Sequence, residues 1–208
     1  EKIAESIKKT VKEKCFCVEK GLYADTDRKK SFSQHAQVWA VLCGLETAEE
    51  GKRLMKESLS LSAKGGFAYA YYVFRAFEKV GEYELSKELM DKYYGLIDME
   101  CTTIPETPEN PRSECHAWGA VAIYEFTYML LGVKEDDACI LINPYIEGRT
   151  SAKGSVYTKH GKVYVCWKKT GEKFKITAES ESMAEINIIM PGGKMISGKS
   201  KVEGEITI

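Results

Sequence analysis

The sequence has no apolar run long enough to cross a bilayer. Its longest, Ala117 to Leu131, is broken by Gly119 and Glu125, and a span requires about 20 apolar residues. No transmembrane helix and no membrane partner are therefore expected. Charge of one sign is lacking as well: 30 Lys and Arg stand against 31 Asp and Glu, a formal charge of -1. Without a basic patch or a Lys/Arg-rich tail, nucleic acid is not an expected partner. The three histidines are far apart and no Cys or His pair has ligand spacing, so neither a metal site nor a cofactor is expected. The seven cysteines are odd in number and irregular in spacing, and Cys15-Phe16-Cys17 has the wrong gap for a metal knuckle or redox pair. They read as reduced thiols, which favours a reducing, cytoplasmic setting. Proline is scarce, with five in 208 residues, and three of the five fall within Pro105 to Pro111.

What is present suffices for a core. A chain 44 % hydrophobic and without biased segments can bury one large core or two smaller ones, as a soluble globular protein does. It opens on Glu1, and helical patterning starts at once, so it reads as cut from something longer.

Apolar residues first recur every three or four positions. Ile3, Ile7, Val11, Cys15 and Val18 predict one amphipathic helix ended by Gly21. A second is expected from Ser33 through Leu45. Thr47 and Glu50 have capping-box spacing for a third that ends near Leu61, and Lys64-Gly65-Gly66 then interrupts. Phe67 to Val80 is apolar on almost every side, Leu85 to Leu96 on one side only, and the two should pair. Ala117 to Leu131, with Glu125 and Thr127 as its only polar side chains, should be covered over most of its circumference. After Gly132 the period becomes two. GKVYVCWKK and GEKFKITAE alternate as strands do, with turns at His160-Gly161 and Thr170-Gly171, and AEINIIMPGG and GEITI add two more.

The expected fold class is thus multidomain α and β: about six helices over residues 1–134, then a small antiparallel β-sandwich over 135–208. No linker rich in Pro, Gly or Ser separates the parts, which predicts a firm interface. Helices of alternating burial suit half of an (α/α)6 toroid. An ordinary helical bundle fits the periodicity equally.

The chemistry concentrates in CTTIPETPENPRSECHAWGAVAIYEF, residues 101–126. Taken alone, this stretch is a Pro-rich surface turn in which Glu106 is a solvated carboxylate. His116 is then a helix cap, Trp118 fills a helix interface, and Arg112 pairs with Glu114. Together with SFSQHAQVWAVLCGL, FAYAYYVFRAFEKVGEYELSKELM and LLGVKEDDACILINPYIEG, in this order, it closely resembles the C-terminal portion of the bacterial α-L-rhamnosidase family of inverting glycoside hydrolases. The resemblance covers nearly the whole chain. Thr-Thr-x-x-Glu followed by Arg-Ser-x-Cys-His-Ala-Trp is its most specific part.

That resemblance implies a six-hairpin α/α barrel followed by a β-domain, with the loop at the barrel mouth. It makes Glu106 the general base. Inversion needs an acid and a base about 6.5 to 9.5 Å apart, and Pro105, Pro108 and Pro111 would stiffen the mount of the base. His116 becomes a ligand to a sugar hydroxyl, and Trp118 could cover the rhamnose methyl. Arg112 and His35 are further candidates for substrate contact, whereas Gln34 is expected to be structural, Trp39 to lie in the core and the aromatic run FAYAYYVF to be packing. The expected partner is a rhamnose-containing glycoside or oligosaccharide, and a dimer could form through the exposed half-barrel face. No segment resembles the family's general acid, so the isolated chain should be inactive. Two alternatives remain: a non-catalytic carbohydrate-binding or structural module, and another (α/α)6 enzyme such as a sugar phosphorylase.

Overall fold

The computed structural model describes residues 1–107, 109–135 and 138–208. They form two compact units, Glu1–Ala122 and Ile123–Ile208.

In the first unit, helix α1 (Lys2–Cys15) stops three residues before the expected end. Phe16 turns extended (φ -71°, ψ 124°) and opens a hairpin of β1 (Phe16–Cys17) and β2 (Leu22–Tyr23). The Phe16 and Tyr23 rings meet at 5.1 Å, so a pairing made across the turn overrides the helical period. Helix α2 (Gln34–Leu42) begins where Ser33 Oγ accepts from the Ala36 N–H at 3.3 Å. It ends short of the expected Leu45. Leu45 N–H donates to Ala40 O and Gly44 N–H to Val41 O, with Gly44 at φ +69°, the left-handed stop that releases a helix while satisfying its last carbonyls.

Helix α3 (Ala48–Ser58) is capped by Thr47, whose Oγ1 accepts from Glu50 N–H. The Glu50 carboxylate turns to Arg53 instead of back to the cap, so the predicted box is half made. Helices α4 (Ala70–Lys79) and α5 (Ser86–Asp98) each follow a short 3-10 turn, Phe67–Tyr69 and Tyr83–Leu85. Helix α2 packs on α3 and α4, and α4 on α5. Their apolar faces bury Val38, Val41, Leu54, Met55, Phe74 and Phe77 almost completely. By contrast α1 buries nothing. With α2 it borders an open apolar groove of about 580 Å³. Trp39, expected in the core, lines that groove and is 45 % exposed.

The last helix, α6 (Val121–Leu131), follows the 3-10 turn Ala117–Ala120. Its expected all-round burial is not found: Ile123 is 70 % and Tyr124 51 % exposed. From Ile123 onward it belongs to the second unit. Leu131 enters the β-core, and the buried Trp167 indole donates to Leu130 O at 2.6 Å, satisfying the one polar atom of that side chain.

Strands β3 (Val133–Glu135), β4 (Cys139–Ile142), β5 (Ser151–Thr158), β6 (Gly161–Thr170), β7 (Lys173–Ser180), β8 (Glu185–Ile189), β9 (Met195–Lys199) and β10 (Lys201–Thr207) make two four-stranded sheets. One, ordered β10-β7-β6-β5, is antiparallel throughout. The other, β3-β4-β8-β9, departs from the expected pattern, because β4 and β8 pair in parallel. The alternation holds as read: Val163, Val165, Trp167, Phe174, Ile176 and Ala178 are buried, while Tyr164, Cys166 and Lys168 face outward. No helix among the described residues is long and apolar enough to cross a membrane.

Candidate functional site

The stretch from Thr103 to His116 folds back on itself as an irregular hairpin. His116 N–H donates to Ile104 O at 2.8 Å, Glu106 N–H to Ser113 O at 2.9 Å, and Thr103 Oγ1 to Glu114 O at 2.6 Å. A second element grips the loop from below, since Phe67 N–H donates to Glu106 O at 3.2 Å. Gly66 makes that grip possible: a Cβ there would stand 2.7 Å from Glu106 O. On the other side, Gly119 lets the 3-10 turn settle on Ile104 and Pro105, where a Cβ would meet Ile104 Cγ2 at 2.6 Å.

The backbone at Glu106 is held by cross-loop hydrogen bonds and by the close approaches that Gly66 and Gly119 allow. Pro105 is buried and Pro111 half-buried; Pro108 lies outside the described residues. The double glycine was visible in the sequence as an interruption. Its use, an approach of backbone to backbone that only a missing Cβ allows, was not.

The Glu106 side chain is 25 % exposed and lies opposite Arg112, whose Nη2 donates to Oε1 at 2.6 Å and whose Nε donates to Oε2 at 3.2 Å. The expected pairing of Arg112 with Glu114 is thus replaced by a two-pronged pairing with Glu106. Position 114 points its carbonyl across the hairpin, while the turn at Asn110 (φ +44°) and Pro111 returns Arg112 to the Glu106 side.

His116 is half-buried and its ring lies 5.8 Å from that of Trp118. Trp118 is 77 % exposed and so fills no helix interface. The two rings and the carboxylate share one hairpin and the turn that follows it. His35, in α2, lines the groove that α1 and α2 border. Its neighbour Gln34 is buried and accepts from Gly65 N–H at 3.1 Å, which ties the start of α2 to the glycine pair beneath Glu106. His35 itself packs on Tyr69, ring to ring at 4.0 Å. Burial, helped by Tyr72, pushes the Tyr69 phenol above its usual range, so it remains a neutral donor. From Tyr69 the ring contacts continue to Tyr72 at 5.4 Å and from there to Trp39 at 5.0 Å. The run FAYAYYVF is accordingly divided: Phe67, Val73 and Phe74 pack inside, while Tyr71 and Tyr72 are partly exposed. No group of three metal-ligating side chains gathers among the described residues.

Chemically, the hairpin presents one carboxylate with fixed orientation, an imidazole, and an aromatic face free to meet a ligand. A carboxylate bonded to one guanidinium retains acceptor sites on both oxygens. It can take a proton from water.

No protein-family model matches the chain, and no curated protein does. Solved structures do. The α-L-rhamnosidase of Dictyoglumus thermophilum superposes with a TM-score of 0.78 at 18 % identity, over 100 % of this chain and 28 % of that one. Native α-L-rhamnosidase from Aspergillus terreus gives 0.75 at 15 % over 96 % and 26 %. The Streptomyces avermitilis α-L-rhamnosidase complexed with L-rhamnose gives 0.72 at 18 % over 97 % and 23 %. The chain spans about a quarter of the length of each of these proteins. In fold, helices followed by β-sheets over its whole length, this chain is similar to a part of the α-L-rhamnosidases.

Proposed function

We propose that this chain forms part of a glycoside hydrolase that releases terminal α-L-rhamnose with inversion, and that Glu106 is its general base. The observation that carries the reading is the Glu106 carboxylate, paired with Arg112 on a cross-braced hairpin that ends at His116 and leads into the turn bearing Trp118, in a fold similar to rhamnosidases. In this reading Glu106 takes a proton from the water that attacks the anomeric carbon, and His116 holds a sugar hydroxyl. Trp118 covers the apolar edge that a deoxysugar offers, and His35 closes the near wall.

A base alone does not suffice. The leaving oxygen must be protonated by a second carboxyl group on the opposite side of the bond, and nothing in this chain is assigned that role. The isolated chain should therefore bind sugar weakly and turn over none. The test is hydrolysis of an aryl α-L-rhamnoside by the chain and by the full-length gene product, each with Glu106 intact and as Glu106→Gln. The full-length protein should lose activity by at least about a hundredfold, a typical general acid–base contribution. Unchanged turnover would remove Glu106 from the reaction, and turnover by the isolated chain would show that it carries its own acid.

A second reading has its own observation. On the outward face of β5 and β6, Tyr157 is 80 % and Tyr164 43 % exposed. Tyr164 lines an open groove of about 470 Å³ with Ser155, Thr177 and Glu179. Such a face could bind saccharide without catalysis. Binding of L-rhamnose oligosaccharides by residues 123–208 alone, lost on Tyr164→Ala, would favour it.

A further inference from the structure

Arg112 offers more than an ion pair. Its side chain is 86 % exposed, and pairs with a partner so open to water usually add little to stability. The hairpin does not depend on this one, because three cross-loop hydrogen bonds and the Phe67 N–H already hold it. Both prongs of the guanidinium nevertheless engage Glu106, one per oxygen. That geometry fixes the plane of the carboxylate, since rotation about its last bond would break one prong or both.

We infer that Arg112 is a positioning residue for Glu106, and that it aims the free lone pairs of the carboxylate at the attacking water rather than binding the sugar. The inference rests on the reading of Glu106 as general base. A base must meet the water's proton within hydrogen-bond reach and in line, and small misplacements of a catalytic group are costly in rate. The exposed carboxylate edge stays available, because the guanidinium uses one acceptor site on each oxygen and leaves the others. A lysine at 112 would keep the charge but could not present the fork.

The experiment is steady-state kinetics of the full-length gene product on an aryl α-L-rhamnoside, with Arg112→Ala, Arg112→Lys, Glu106→Gln and the Glu106→Gln/Arg112→Ala double variant. Expected for Arg112→Ala is a fall in kcat of roughly ten- to a hundredfold with KM unchanged, restored in part by added guanidinium ion. Arg112→Lys should fall less and respond to guanidinium less. The double variant should be no slower than Glu106→Gln, as two residues acting through one function do not add.

A raised KM with kcat intact would make Arg112 a sugar ligand and overturn the inference. Wild-type kinetics in Arg112→Ala, or a double variant tenfold below Glu106→Gln, would overturn it as well. Should Arg112→Ala not fold, the split between kcat and KM in Arg112→Lys decides. Failure of the general-base reading is separate and visible: Glu106→Gln would then be fully active, whereas an inactive Glu106→Gln beside a normal Arg112→Ala sinks only the role given to Arg112.

Discussion

Gly66→Ala tests whether the carboxylate loop is held from below. The backbone at Gly66 (φ -72°, ψ -176°) suits any residue, so the substitution adds no conformational strain and the result reports on space alone. A Cβ would lie 2.7 Å from Glu106 O and 3.3 Å from Thr107 Cγ2, whereas ordinary contact begins at 3.4 Å. The shortfall toward the carbonyl is about 0.7 Å. Neither partner yields freely, because Glu106 O accepts from Phe67 N–H and Glu106 N–H donates to Ser113 O. Overpacking of this kind costs about 1 to 3 kcal/mol.

At roughly 3 to 4 °C per kcal/mol for a unit of this size, the melting temperature should fall by about 3 to 12 °C, read by far-UV circular dichroism. Gly95→Ala is the internal control. Gly95 lies inside α5 with nothing within 4 Å of a Cβ, so alanine there should stabilise by about 0.5 to 1 kcal/mol. If Gly66→Ala melts at or above the wild type while Gly95→Ala behaves as stated, the loop is not clamped at Glu106 and the mount described above is wrong.

Gly132→Ala should be far more damaging: a Cβ would stand 2.2 Å from backbone atoms of Asn143 and Pro144 at φ +67°, and loss of the cooperative transition of the second unit is expected, seen by denaturant titration. Trp167→Phe leaves Leu130 O without its 2.6 Å donor and removes part of a buried ring, so a loss of about 1 to 3 kcal/mol is expected, measured by urea unfolding followed by circular dichroism. Tyr23 is almost wholly buried and donates to Glu46; burial first, then that hydrogen bond, raises its phenol well above the usual range. Its contribution is fully present below the unfolded phenol's value of about 10 and fades as pH rises above it. Tyr23→Phe should therefore cost about 1 kcal/mol at neutral pH and flatten the loss of stability above pH 10, and an unchanged alkaline limb would refute the assignment.

Much of the site was written locally. The family resemblance rests on Thr-Thr-x-x-Glu and Arg-Ser-x-Cys-His-Ala-Trp and through them points to Glu106, His116 and Trp118 as candidates, and the double glycine announces a break. The partner of Arg112 was not legible, because Glu106 and Glu114 are both near it in sequence and only the turn at Asn110 and Pro111 selects between them. Trp39 shows the same limit. It sits at helical spacing among residues that are buried, yet its exposure depends on what α1 and α2 leave open between them.

The sequence by itself determined the helix starts at Ser33 and Thr47, the alternation of β6 and β7, and the turns on either side of β6. All are set by side chains within a few residues of one another, where capping, left-handed backbone and period act. Only the tertiary structure decided that α1 yields to a hairpin at Phe16, that β4 runs parallel to β8, and that Leu131 at the end of α6 enters the β-core. Each depends on a partner brought in across a turn or from a distant segment, and hydrophobic burial rewards any apolar partner that fits, so the choice among partners is made only when the chain is folded.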